Sequence, residues 1–241
     1  MNGPIPTLIR SDMIIDRSPK EMLAARSIIY GAVSALFADP ESEKFSMLMR
    51  SRLQGSILDA CFQLEESDKR KGPTLSRTFQ KLMSKLDRSS LEKIRDEFVD
   101  VFGHTLSKQI APYALEHLKN SDVFFRTQKL ADLNGFYKAF GMEVGSIERA
   151  DHISTQSEFL SFLLLKELVA GQNVLYDEKE VCEKAFYDFQ NDHFLDWVDM
   201  FANNMVNNVT EEFYYRVGAF LKKFLETEKM YFNLVKDTQE C

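Results

Sequence analysis

The stretch Glu148-Arg149-Ala150-Asp151-His152-Ile153-Ser154-Thr155-Gln156-Ser157-Glu158-Phe159-Leu160 gathers three carboxylates and a histidine at a predicted helix start, then runs into the apolar segment Phe159 to Leu165. Gly141 and Gly145 precede it and end the helix before it. It reads as a charged loop at the mouth of a helical core, and loops held by a rigid scaffold are where function concentrates. The surroundings agree with a helical fold. All six prolines lie at or before Pro112, and the 129 residues after it carry long apolar stripes instead. Proline-free sequence with 3.6-residue apolar spacing predicts an all-α protein.

Working outward, Asn120, Ser121 or Asp122 opens a helix with Val123, Leu130, Leu133, Tyr137 and Phe140 on one face, and the helix after the charged loop covers Ile153 to Ala170. A single long helix is predicted from Asp177 to Asn204, with Val181, Ala185, Phe189, His193, Trp197 and Met200 in one stripe. A last one is predicted from about Thr210 to Val235, stacking Phe213, Val217, Phe220, Phe224 and Tyr231. In the first half, Ser18-Pro19-Lys20-Glu21 combines an N-cap serine, a first-position proline and a capping-box glutamate, opening a helix marked by Met22, Ala25, Ile29 and Leu36. Helices over Glu43 to Leu64, Thr74 to Leu86 and Ser90 to Phe102 follow, the first with Phe45, Leu48, Leu53, Ile57 and Phe62 as apolar markers. Residues 1–17 read as an irregular segment and 18–236 as one helical domain. The weakly periodic stretch from Gly103 is a hinge candidate near 103–120, dividing 18–102 from 120–236.

Composition narrows the function classes. At 241 residues and 44% hydrophobic content the chain builds a sizeable core. No apolar run approaches the roughly 20 residues of a membrane span, because Phe159 to Leu165 is stopped by Lys166 and Glu167. The net charge is −7, with 17 basic and 15 acidic residues in 1–112 against 13 and 22 in 113–241. The acidic second half disfavours nucleic acid and anionic membrane surfaces and favours a basic partner. Cys61, Cys182 and Cys241 are odd in number and widely spaced, which predicts a reducing, cytoplasmic setting and no zinc site. His104, His117, His152 and His193 are too scattered to suggest a metal site from spacing.

No GxGxxG, P-loop, GxSxG or HExxH pattern is present, so the residues predict a binding protein and not an enzyme. Asp151 beside His152 lacks a nearby nucleophile, and adjacent residues at a helix start point apart. Two readings of Asp151 stay open. It can cap the following helix, worth about 1 kcal/mol, or join Glu148 and Glu158 in an acidic rim that receives guanidinium groups. His193 and Trp197, four apart on the face of Phe189, read either as a core tryptophan with a histidine beside it or as the wall of a peptide groove.

Taken together these residues resemble the TorD/DmsD-type cytoplasmic chaperones, the redox enzyme maturation proteins of molybdenum-cofactor oxidoreductases. The segment Glu148-Arg149-Ala150-Asp151-His152-Ile153 with Glu158-Phe159-Leu160 is similar to the family's E-R-P-D-H-[IL]…E-F-[ML]. Pro112-Tyr113 resembles the start of its P-Y-x-S-x-Y element, Phe136-Tyr137 with Phe140-Gly141 its FYxxFG, and Phe189 to Trp197 its F…H-[LF]-x-x-W. Ala150 stands where the family usually has proline, and Leu115 and His117 where it has serine and tyrosine.

The resemblance implies an all-α helical bundle, a monomer or domain-swapped homodimer, that binds the twin-arginine signal peptide of a molybdoenzyme precursor until cofactor insertion and export. The implied peptide site comprises Asp151, His152, Glu148, Tyr113, Pro112, Phe159, His193 and Trp197. It implies no cofactor, metal or nucleic acid and no membrane insertion, although guanine nucleotides are discussed for the family. One alternative is a system-specific chaperone acting on the mature part of a nitrate reductase or formate dehydrogenase. The other is a small nucleotide-binding or enzymatic helical protein using His152 or His193.

Overall fold

The structure, a computed structural model, describes residues 18–65, 72–103, 110–118, 122–145 and 148–239, with side chains to residue 231 in the last of these. The predicted irregular segment 1–17, His104, Cys241 and, of the predicted hinge, residues 104–109 and 119–120 lie outside the described residues.

The chain folds as α1 (Pro19–Leu36), α2 (Glu43–Ser46), α3 (Ser51–Glu65), α4 (Leu75–Leu86), α5 (Leu91–Phe102), α6 (Val123–Ala139), α7 (Ile153–Gln172), α8 (Tyr176–Phe189), α9 (Leu195–Asn208) and α10 (Glu212–Gln239). Short 3₁₀ turns occupy Met47–Met49 and Ala114–Glu116, and a π turn occupies Gln190–Phe194. Among the described residues the fold is all-α, its only extended pairing a single antiparallel bridge between Tyr113 and His152. The predicted capping box is present at α1: the Glu21 N–H donates to Ser18 Oγ and the Ser18 N–H to Glu21 Oε2, with Pro19 in the first turn. These bonds satisfy donors that a helix start otherwise leaves to water.

Helix α1 is the central element. It packs on α7 and α3, while α10 packs on α4 and α9 and α8 lies against α7, so one apolar cluster runs through both halves of the chain. Small residues let α1 and α7 approach. Ser27 and Ser161 exchange hydroxyl-to-carbonyl bonds of 2.9 and 2.8 Å, Ser154 Oγ donates to Ser34 O at 2.8 Å, and a Cβ on Gly31 would sit 3.4 Å from Ser161 Oγ. Gly218 is tighter: a Cβ there would lie 2.6 Å from Met205 Cβ, where α9 and α10 meet.

One polar network is enclosed in this core. Arg26 donates Nε and a terminal nitrogen to the two oxygens of Glu228 at 2.8 and 3.0 Å, its guanidinium lying 4.7 Å from the Phe186 ring and 4.8 Å from Tyr231. Tyr30 donates to Glu228 at 3.2 Å and accepts from Gln190 Nε2 at 2.7 Å. Burial alone would lower the Arg26 pKa, but the Glu228 charge and hydrogen bonds hold it above its ordinary value. The network ties α1 and α10 to the first residue of the π turn.

Two predicted helices are divided. Glu43 to Leu64 is not continuous, because Arg50 takes an extended conformation (ψ 115°). The resulting turn lets Phe45, Leu48 and Ile57 all reach the core, and it leaves Phe62, an expected core marker, mostly exposed. The predicted helix from Asp177 to Asn204 is α8, the π turn and α9. The wider π turn breaks the 3.6-residue register between Phe189 and α9, where Trp197 is buried and Met200, of the same expected stripe, faces solvent; Val181, at the start of the stripe in α8, is exposed as well. Val123 is likewise exposed at the start of α6.

Candidate functional site

The charged loop before α7 is fastened to the segment around the second 3₁₀ turn, Ala114–Glu116. Ile153 N donates to Pro112 O and Ala114 N to Asp151 O, both at 2.9 Å, forming the bridge between Tyr113 and His152. Tyr137 Oη donates to Ala150 O at 2.6 Å from α6. Three separate segments are thus joined through the loop's backbone carbonyls and amides, one bond coming from the Tyr137 side chain, so the alanine at position 150 is held without the stiffness of a proline.

The side chains of the loop are turned inward. Asp151 is fully buried. Its carboxylate accepts Nε and a terminal nitrogen of Arg149, each at 2.9 Å, and Leu115 N–H at 3.1 Å. The loop's own arginine therefore occupies the bidentate face of this carboxylate. Arg149 in turn lies 4.5 Å from the centre of the Tyr113 ring and 3.6 Å from Glu116, which also accepts from Arg126 at 2.7 Å. Glu148 accepts from Tyr113 Oη at 3.3 Å and from Arg149 N at 3.2 Å, and Glu158 pairs with Lys44 at 2.6 Å. Each carboxylate of the predicted acidic rim thus has a donor inside the protein.

The N-cap of α7 is His152, not Asp151. Its Nδ1 accepts the Ser154 N–H at 3.2 Å. Burial, reinforced by the charges of Lys44 and Arg149, lowers its pKa to about 3, so the imidazole is neutral. The 3.7 Å approach of Nδ1 to Glu148 is consequently not an ion pair. Burial also raises the Glu148 and Tyr113 pKa values.

Phe159 and Trp197 belong to the interior. Phe159 has no exposed surface and packs edge-on against Tyr137, Phe140 and Phe189, which corrects its expected place on a groove wall. Trp197 stacks on His117, the ring centres 5.1 Å apart and 27° from parallel, and donates Nε1 to Gln156 Oε1 at 3.0 Å. The histidine beside the tryptophan is thus His117. His193 packs on Phe136 and Phe189 at 5.3 Å, the π turn having carried it away from the expected pairing.

What His193 does border is an open groove of about 870 Å³ between α6 and the π turn. Phe136 and Phe140 line it beside the small residues Ala131, Gly135 and Ala139, and Asp132, Asp192 and Asp196 also line it, with Lys129 as the one lining cation. Burial, with the Lys129 charge, lowers the His193 pKa, so at neutral pH the acidic character is not offset by that ring. Sequence reasoning found His193 and missed the rest. The signals were present as four-residue spacings, Ala131/Gly135/Ala139 and Asp192/Asp196, but only the π turn brings them face to face.

A family model described as "Nitrate reductase delta subunit" matches residues 68–203. The chain belongs to that family, the TorD-like redox enzyme maturation chaperones. Its members are chaperones and not catalysts, and they interact with molybdoenzyme precursors. The matched region encloses Tyr113, the loop before α7 and all of the groove, while α1 and α10 lie outside it. Among solved structures, the chain is similar to a "putative redox enzyme maturation protein" from Archaeoglobus fulgidus, with 19% identity, 90% of this chain and 99% of that chain covered, and a TM-score of 0.45. No curated protein matches the chain. Among the described residues no helix is long and apolar enough to cross a membrane, and no cluster of three or more His, Cys, Asp or Glu side chains is placed to hold a metal ion.

Proposed function

We propose that this maturation chaperone holds the twin-arginine leader of a molybdoenzyme catalytic-subunit precursor in the cytoplasm until cofactor insertion, and that the groove between α6 and the π turn receives it. A twin-arginine leader is a basic segment followed by an apolar one. Its receptor needs carboxylates beside an apolar floor, and complementary charge supplies both encounter rate and register. The observation that carries the reading is the groove itself, where Asp132, Asp192 and Asp196 border Phe136 and Phe140. In this assignment His193 contacts the peptide and Tyr113 and Glu148 form an outer edge. Pro112, Asp151, His152, Phe159 and Trp197 hold the surrounding walls.

Calorimetry with a leader peptide tests the reading. Binding to the wild-type chain, weakened by replacing the two arginines with lysines and by Asp192→Asn/Asp196→Asn, is expected. No binding, or binding indifferent to both changes, overturns it.

A second reading is favoured by the family description, which names nitrate reductase. In that case the groove takes a basic, apolar segment of the mature enzyme with no exported leader. A peptide carrying that segment alone would then compete as well as the full leader, whereas the first reading expects weaker competition.

A further inference from the structure

Beneath the groove lies a second, much smaller cavity of about 20 Å³. Lys129, Asp192, His193 and Asp196 line both spaces, so the two adjoin. Gln156 and Trp197 also line the small one. Gln156 is fully buried, and its orientation is fixed by chemistry: the indole N–H of Trp197 only donates, so the amide atom 3.0 Å away is the oxygen. The Gln156 amide nitrogen then points elsewhere, and no acceptor reaches it among the described residues. A buried donor left without an acceptor is a standing cost, and such groups in native proteins call for an explanation.

We infer that this cavity is a subsite for one backbone carbonyl oxygen of the docked segment, with the Gln156 amide as its donor. The inference rests on the reading of the groove as the peptide site and names what that site recognises besides charge. At about 20 Å³ the space is on the scale of one water-sized group, so it takes an oxygen atom and not a bulky side chain. Charge excludes a carboxylate or phosphate, because Asp192 and Asp196 line the same space. A neutral oxygen next to cationic side chains fits, and a basic peptide backbone supplies one. Recognition is then divided, with the carboxylates taking the basic side chains and Gln156 taking the main chain between them. Gln156 owes its position to Trp197, and Trp197 owes its own to the stack on His117, whose Nε2 lies 2.8 Å from Ala111 O.

The test is a series of leader peptides in which each backbone amide in turn is replaced by an ester, whose carbonyl is a weaker acceptor. Affinities are measured by fluorescence anisotropy against the wild-type chain and against Gln156→Met. One ester position is expected to weaken binding to the wild type about fivefold and to leave Gln156→Met unaffected, the size of a single hydrogen bond. If Gln156→Met does not fold, Gln156→Glu replaces it, keeping an oxygen for Trp197. Ester effects of equal size in both proteins overturn the subsite, and so does a Gln156 variant that binds as tightly as the wild type. If the parent peptide binds and Asp192→Asn weakens it while the ester series is flat, only the carbonyl subsite falls. If the parent peptide does not bind the wild type, the groove reading falls with it.

Discussion

The loop before α7 and the groove beside the π turn carry similar residues and put them to opposite uses. In the loop Asp151 is enclosed and its oxygens are filled by Arg149 and a backbone N–H, while His152 is neutral and caps a helix. In the groove Asp132, Asp192 and Asp196 line open space, and the amide beneath them has no acceptor among the described residues. A satisfied, buried polar cluster fixes structure, whereas an exposed and unsatisfied one is available to a partner. In the proposed assignment the sequence signature that identifies the family marks the scaffold, and the docking surface lies one layer outward. Substitutions in the two regions should separate cleanly, with those in the loop moving stability and those in the groove moving affinity.

The largest expected effect lies behind the groove, in the network that anchors the π turn. Glu228→Gln leaves the buried Arg26 charge without the carboxylate it faces, and removing one partner of a buried pair costs about 3–5 kcal/mol. Chemical denaturation should show that loss, and leader affinity should fall with it, because Gln190 is tied to Glu228 through Tyr30. Unchanged affinity in a folded Glu228→Gln protein would show that the π turn holds its shape unaided. Asp151→Ala comes next. It strands the Leu115 N–H and one face of Arg149, but the Arg149 side chain is 43% exposed and rehydrates in part, so the loss is about 2–3 kcal/mol. Loss of leader affinity with unchanged stability would instead make Asp151 a direct contact and erase the distinction between loop and groove.

His152 gives a smaller effect with a pH signature. Its folded pKa of about 3 lies below the ordinary 6.5, so the unfolded chain binds a proton that the folded one refuses. Stability is complete above about pH 6.5 and declines as the pH falls from there toward 3. At pH 5.5 the expected loss is about 1.4 kcal/mol relative to pH 7.5. His152→Asn keeps an N-cap acceptor and should remove most of this slope, leaving the part due to His117 and His193, whose pKa values burial also lowers. An unchanged slope in denaturation midpoints across this pH range would mean that His152 is not the group refusing the proton.

The helical class was legible because proline placement and apolar spacing are local properties, and so were the capping box at Ser18 and the stripes of α1 and α10. Phe62 and Met200 were misplaced for a common reason. A short departure from α geometry, Arg50 in one case and the five-residue π turn in the other, rotates the side chains that follow. Nothing in single-residue propensity announces such a break. The site was half legible: Tyr113, Glu148, Asp151, His152, His193 and Trp197 were all singled out, but burial decides which of them meet a partner. The pairing of Arg149 with Asp151 two residues on is not legible in the sequence, because only burial of the carboxylate makes its neighbour the counter-ion. The groove escaped because its walls are 60 residues apart in the chain, from Asp132 to Asp192.

The smallest stability effect is expected where the functional effect is greatest relative to it. Asp192 in the π turn and Asp196 in α9 line the same groove, and their like charges repel. Neutralising both with asparagine relieves that repulsion at the wall of an open groove, so the denaturation midpoint should stay within about 0.5 kcal/mol of the wild type. Leader affinity, by contrast, should fall about tenfold, and its salt dependence should flatten, because the attraction lost is electrostatic and partly screened. The combination is diagnostic. An asparagine variant that loses both stability and affinity would place these aspartates in the scaffold with Asp151, and one that loses neither would remove the charge argument for the groove.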